Sequence, residues 1–174
     1  MGEPIIPLSG LWRVLRRLGR GLGVAVLAAL LTVCSGWQRA PVLTVTESRT
    51  GRVVLSEPVS AGDVLKIRYI HSIHRTPVEE RYHIDRRGRI VLDSVRYESY
   101  GVGMLSELEP GETFHWEDGA MVVANLNRVI GSIPLRIGQV IADHHLLLHG
   151  MDVPLAKISH PGAFVVIAVR IASA

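Results

Sequence analysis

At 174 residues the chain has room for one ordinary domain and an appendage, and its 48% hydrophobic and 20% charged residues exclude general disorder. The 17 glycines and 9 prolines follow no repeating period, and a single cysteine can form neither an internal disulfide nor a cysteine-based zinc ribbon. A net charge of +3 and a pI near 9.4 point to an acidic partner only if the charge is spread along the chain, and it is not.

Residues 1–40 carry Arg13, Arg16, Arg17, Arg20 and Arg39 against Glu3 alone, a balance of +4. Residues 41–174 carry 14 Lys and Arg against 15 Asp and Glu, a balance of −1. After Arg20 come sixteen uncharged residues, Gly21 to Gly36. A basic flank before a short apolar run is the pattern of a secretory signal or a signal anchor, with the arginines left on the cytoplasmic side. Trp12 and Trp37 bracket the run as interfacial aromatics bracket a retained helix, while its length sits between a long signal core and a spanning helix of roughly 17–25 residues. Leu31-Thr-Val-Cys34 resembles a lipoprotein processing box, but Val33 stands where such a box wants a small residue. Cleavage, retention and lipidation at Cys34 all stay open. The expected division is a signal peptide or membrane anchor over residues 1–40 and an extracytoplasmic domain over 41–174.

From Pro41 onward the chain reads as strands. Val42–Thr46 and Val53–Leu55 are β-branched runs separated by the turn-like Arg49-Thr-Gly51. Val64 to His71 alternates apolar and polar residues with period two, which predicts a half-buried strand. Further strand signals fall at 78–85, 89–99, 113–116, 120–124, 135–141, 144–149 and 163–171. Turn chemistry separates several of them, at Arg87-Gly88, Pro110-Gly111, Asp118-Gly119, His149-Gly150 and His160-Pro-Gly162. Phe164–Val169 is apolar on both parities, which predicts a strand covered on both faces. No window beyond residue 40 sustains a helical period, so the expected fold is all-β: a single antiparallel β-sandwich or barrel-like domain behind one N-terminal hydrophobic helix.

The stretch richest in chemistry is His71 to Glu80. Leu65, Ile67 and Tyr69 share one face of the first strand, and continued alternation would turn His71 inward. In the next strand Val78, Tyr82 and Ile84 share a face, with the carboxylate of Glu80 among them and Glu79 on the opposite side. Keeping both apolar sets on one side of a hairpin requires paired residue numbers with an odd sum. With the turn placed at Thr76-Pro77, a sum of 151 sets His71 opposite Glu80, and 149 sets Tyr69 opposite it. Either makes His71 and Glu80 close neighbours. Such a pair reads as a buried structural contact, or as a general acid–base pair or half of a ligand site. Ser72 points away from His71 along a strand, and no Gly-x-Ser-x-Gly elbow is present.

The remaining histidines suggest no metal. His144 and His145 project oppositely, and His145 and His149 stand about 13 Å apart along a strand. His74, His83, His115 and His160 fall in loops or on polar faces. Gly101-Val-Gly103 lacks the βαβ surroundings of a dinucleotide fingerprint and reads as a strand-end turn. No cofactor is implied, and a domain at −1 carries no basic-aromatic stripe for nucleic acid.

Ile70-His-Ser-Ile-His-Arg-Thr-Pro-Val-Glu-Glu80 followed by Glu98-Ser-Tyr-Gly-Val-Gly103 closely resembles the bacterial family called domain of unknown function 1850. The later Ile137, His145-Leu-Leu-Leu-His149-Gly150, Val153-Pro-Leu155 and His160-Pro-Gly162 also fit, so the resemblance runs over roughly residues 42–172. His71, Ser72, Pro77, Glu79, Glu80, Ser99, Gly101 and Gly103 match its recurrent positions. Members resemble small exported or membrane-anchored proteins, often encoded beside tripartite transporter components of the TAXI branch of the TRAP family, which import solutes such as organic acids. What the resemblance implies is an accessory on the outer face of the cytoplasmic membrane, with importer subunits and a small organic solute as partners. The expected contact surface is the cluster His71, Ser72, Glu79, Glu80, Ser99, Gly101 and Gly103. The alternative is a hydrolase-like enzyme acting on the solute, with His71 as base and Glu80 as its orienting carboxylate.

Overall fold

The computed structural model describes residues 40–98 and 108–171, so the expected signal or anchor helix and Cys34 lie outside the described residues. Among the described residues no helix is long and apolar enough to cross a membrane.

The chain runs through β1 (Pro41–Glu47), β2 (Val53–Pro58), β3 (Val64–Ile70), β4 (Pro77–Ile84), β5 (Ile90–Tyr97) and β6 (Thr113–Glu117). It continues with β7 (Ala120–Ala124), β8 (Arg128–Ile130), β9 (Ile133–Arg136), β10 (His145–Leu148), β11 (Met151–Pro154), the one-turn α1 (Leu155–Ile158) and β12 (Phe164–Ile171). The strands form two sheets. One has the order β2-β1-β12-β9, and the other β11-β10-β3-β4-β5-β7-β6 with β8 added against β5. Every strand pairing is antiparallel. The seven residue pairs between β1 and β12 tie the two ends of the described chain together.

Period-two alternation decides what is buried. From the first sheet Leu43, Val45, Ile133, Val165 and Ile167 enter one apolar cluster. From the second, Leu65, Ile67, Tyr82, Ile84, Ile90, Leu146 and Leu148 enter the same cluster, so the two sheets share a core. A smaller cluster of Val78, Val95, Tyr97, Met121, Val123 and Leu126 continues along the second sheet, and Tyr69 and Leu92 pack against both. In β12, Val165 and Ile167 are buried while Val166 and Ala168 on the opposite face are half-buried and Phe164 is exposed. One face of that strand is therefore fully covered, and the other only in part.

Two turns follow directly from their glycines. Asp118-Gly119 (φ 48° and 76°) and His149-Gly150 (φ 51° and 77°) are two-residue loops with both residues left-handed, the type I′ geometry whose twist suits a hairpin. The strand expected over 135–141 ends at Arg136 instead. A Cβ at Gly138 would lie 2.6 Å from the Ala142 Cβ, so the chain folds back on itself at that glycine rather than extending. β8, β11 and α1 have only three or four residues each, too short for a periodicity to register.

Ile67 is fully buried, with Glu80 and Leu146 as its cross-strand neighbours. Ile67→Ala is expected to lower stability by about 2–5 kcal/mol through lost transfer energy and a residual cavity. Urea unfolding measures it; a loss under about 1 kcal/mol would mean that the shared core is not packed as described.

Candidate functional site

The β3–β4 pairing has the odd sum that the apolar faces require, but its value is 147. Ile67, not His71 or Tyr69, stands opposite Glu80. The reason is turn chemistry. A two-residue loop at Arg75-Thr76 or His74-Arg75 would give a sum of 151 or 149, but it takes two left-handed residues and no Gly, Asn or Asp is there to supply them. The chain instead closes a four-residue loop, Ser72–Arg75, in which Arg75 alone takes a positive φ of 56°. The His71 N–H donates to the Thr76 carbonyl at 2.9 Å, and the Arg75 N–H to the His71 carbonyl at 2.8 Å. Pro77 falls opposite Ile70, whose N–H turns away to the Ala142 carbonyl at 2.9 Å, so the missing proline donor leaves no gap in that pair.

His71 and Glu80 are consequently not neighbours, so the contact expected of them, structural or acid–base, does not form. β3 stops at Ile70, and His71 opens the loop. Its Nδ1 accepts from the His74 N–H at 3.3 Å, and the two imidazole rings stack with centroids 5.0 Å apart. Ser72 is exposed in the same loop. Glu79 takes the outer face, where it pairs with Lys66 at 2.6 Å. That face carries further ion pairs, Arg68 with Asp152 at 2.8 Å and His145 with the same carboxylate. Ser99, Gly101 and Gly103 lie outside the described residues.

Glu80 finds different partners. Its cross-strand neighbours, Ile67 and Val95, are apolar. The Tyr82 hydroxyl, next on the same face of β4, donates to Oε2 at 2.6 Å. The Tyr69 hydroxyl, diagonal on β3, reaches Oε1 at 3.4 Å. Burial raises the Glu80 carboxyl above its ordinary 4.5, while the bonds from Tyr82 and Tyr69 pull it back. The same burial, and then the Glu80 charge, push both phenols upward, so they stay neutral donors. The Tyr69 ring also stacks on His144 with centroids 5.1 Å apart. His144 Nδ1 accepts from the Gly138 N–H at 3.1 Å, which puts the ring proton on Nε2. Burial lowers the His144 pKa from 6.5, partly offset by Asp143, and the ring stays neutral. The cluster therefore pins the 137–144 loop to the hairpin. Chemically it offers one protonatable carboxylate held by phenols, with no base beside it. The shared parity of Tyr69, Glu80 and Tyr82 was visible in the sequence; the approach of His144 was not.

A second surface lies at the end of the same sheet. β6 has no described strand on its outer side, and all five of its residues are exposed. Phe114 and Trp116 share a face, 46% and 65% exposed, with ring centroids 6.5 Å apart edge to face. They stand opposite Val123 and Met121 of the smaller core cluster. The acids near this strand are paired, Glu117 with Arg96 at 3.4 Å, and Glu109 and Glu112 with Arg128 at 3.9 and 2.7 Å. Only period-two spacing hinted at this pair.

The chain belongs to the family described as a domain of unknown function (DUF1850), which it matches over residues 65–155. That span contains the second sheet except Val64, with the Glu80 cluster and β6. No curated protein and no solved structure matches the chain.

Tyr82→Phe removes the shorter bond to a buried carboxylate and should cost about 1.5–3 kcal/mol, with Tyr69→Phe costing less. The pH dependence has a definite sign. Glu80 has a folded pKa above 4.5, so its contribution is full below pH 4.5 and is lost as pH rises through the folded value. His144 opposes it, costing stability as pH falls from 6.5 through its own lowered value. In urea titrations over roughly pH 4–8, Glu80→Gln should abolish the loss above pH 4.5 and leave the His144 limb; an unchanged profile would contradict the assignment.

Proposed function

We propose that this chain is an extracytoplasmic accessory protein, exported or held at the cytoplasmic membrane by its N-terminal segment, that docks on a TAXI-type TRAP solute importer through the edge of β6 on which no described strand pairs. The observation that carries the reading is that edge. An exposed strand without Lys or Pro, bearing two large aromatics on one face, is what proteins otherwise cover or blunt, because its unpaired N–H and C=O groups invite another strand. A partner segment added to β6 would gain main-chain hydrogen bonds and bury Phe114 and Trp116.

One further observation supports the placement. Arg13, Arg16, Arg17 and Arg20 against Glu3 give +3 ahead of an uncharged run, which orients a signal or anchor with the β-domain outside. The partner class is what the resemblance of the His71–Gly103 motifs implies, a component of a TAXI-type importer. The hydrolase alternative needed His71 beside Glu80, and the hairpin register separates them.

Phe114→Ala/Trp116→Ala alters exposed side chains and should leave the fold intact. Affinity capture from detergent-extracted membranes, with natural expression of both partners, should recover importer subunits with the unaltered chain and lose at least about tenfold of them with the double variant. Recovery without any importer subunit, or equal recovery with the variant, would overturn the proposal.

A further inference from the structure

At the end of the first sheet, the turn after β1 and the turn before β12 approach each other. The Ser48 N–H donates to the Phe164 carbonyl at 2.9 Å, and between the turns lies a pocket of about 200 Å³. Its walls are Glu47, Arg49, His160, Gly162, Ala163 and Phe164.

Glu47 is only 7% exposed, and its hydrogen-bonding capacity is already engaged. Oε1 accepts from Arg52 and from the Ser159 hydroxyl, both at 2.7 Å, and Oε2 accepts from the Thr50 hydroxyl at 2.8 Å. Those bonds, Arg52 first, hold its carboxyl down to about 2. The carboxylate fixes the two turns against each other, and Arg52 cancels its charge. The other charges are uncompensated. Among the described residues no carboxylate pairs with Arg49, nor with Arg136, whose guanidinium lies 4.4 Å from the Phe164 ring centroid. His160 donates from Nδ1 toward the Pro161 carbonyl at 3.1 Å in one tautomer, which leaves Nε2 an acceptor, so the positive charge facing the pocket is that of Arg49. The pocket is thus cationic at one side and apolar at the other, where Ala163 and the Phe164 ring stand.

We propose that this pocket binds a small organic monoanion, a carboxylate with a short apolar tail, whose charged end meets Arg49 and whose carbons lie on Phe164 and Ala163. A planar guanidinium is well matched to a carboxylate, and Arg136 on the Phe164 ring adds positive potential. A volume of about 200 Å³ suits a small ligand. The site lies outside residues 65–155 and on the other sheet from β6, so it does not rest on the docking proposal.

Calorimetric titration of the full-length chain with sodium butanoate tests it, with butylammonium chloride and inorganic phosphate as comparison probes. Butanoate should bind saturably with one site per chain, and butylammonium should not bind. Arg49→Gln and Phe164→Ala, both at exposed side chains, should each weaken butanoate by about tenfold. Absence of saturable butanoate binding, or affinity indifferent to Arg49→Gln, overturns the proposal. Phosphate binding as tightly as butanoate, with neither affected by Phe164→Ala, overturns it equally, since the pocket would then read charge alone.

Discussion

The organisation of the second sheet depends on a carboxylate that points inward. Glu80 sits in the middle of β4 between Ile67 and Val95, where no charged or amide side chain stands opposite it. Burying it unbonded would cost several kcal/mol, so the neighbouring positions on its face have to supply donors. Tyr82 and Tyr69 do so, and each then joins the carboxylate to something else. Tyr82 belongs to the shared core. Tyr69 touches both apolar clusters and stacks on His144, which accepts from Gly138. A single polar contact thereby couples the hairpin, the core and the 137–144 loop.

That arrangement also explains why the second sheet can extend past the first. The larger cluster is closed between two sheets, whereas the smaller one, from Val78 to Leu126, lies along the second sheet alone. Beyond it, opposite Val123 and Met121, stand the exposed rings of Phe114 and Trp116 on β6. The second sheet thus has a pinned, covered centre and an exposed aromatic margin. Such a division suits a protein that acts by contact, with the rigid part holding the edge in shape.

Much of the fold was legible because alternation is a direct consequence of the β backbone. The faces of β3 and β4 and the odd register sum followed from Leu65, Ile67, Val78 and Ile84 alone. Alternation cannot separate registers that differ by two residues, and there the reading of His71 failed. The turn residues held the missing information: Asp118-Gly119 and His149-Gly150 permit two-residue loops, and Ile73-His-Arg-Thr76 does not. His144 and the pocket beside Glu47 were beyond reach for another reason. Both depend on loops brought together by long-range packing, Ala142 onto Ile70 and Phe164 onto Ser48, and no local pattern encodes those contacts.

The most direct test of the account places a photoreactive amino acid at His115 in the middle of β6, and in a second chain at Val53 on the first sheet, where the side chain is also exposed. Irradiation of intact cells, followed by identification of crosslinked products, should join position 115 to an importer subunit and leave position 53 unlinked to it. Crosslinking of the importer from both positions alike, or from neither, would contradict the claim that this edge is where the protein meets its partner.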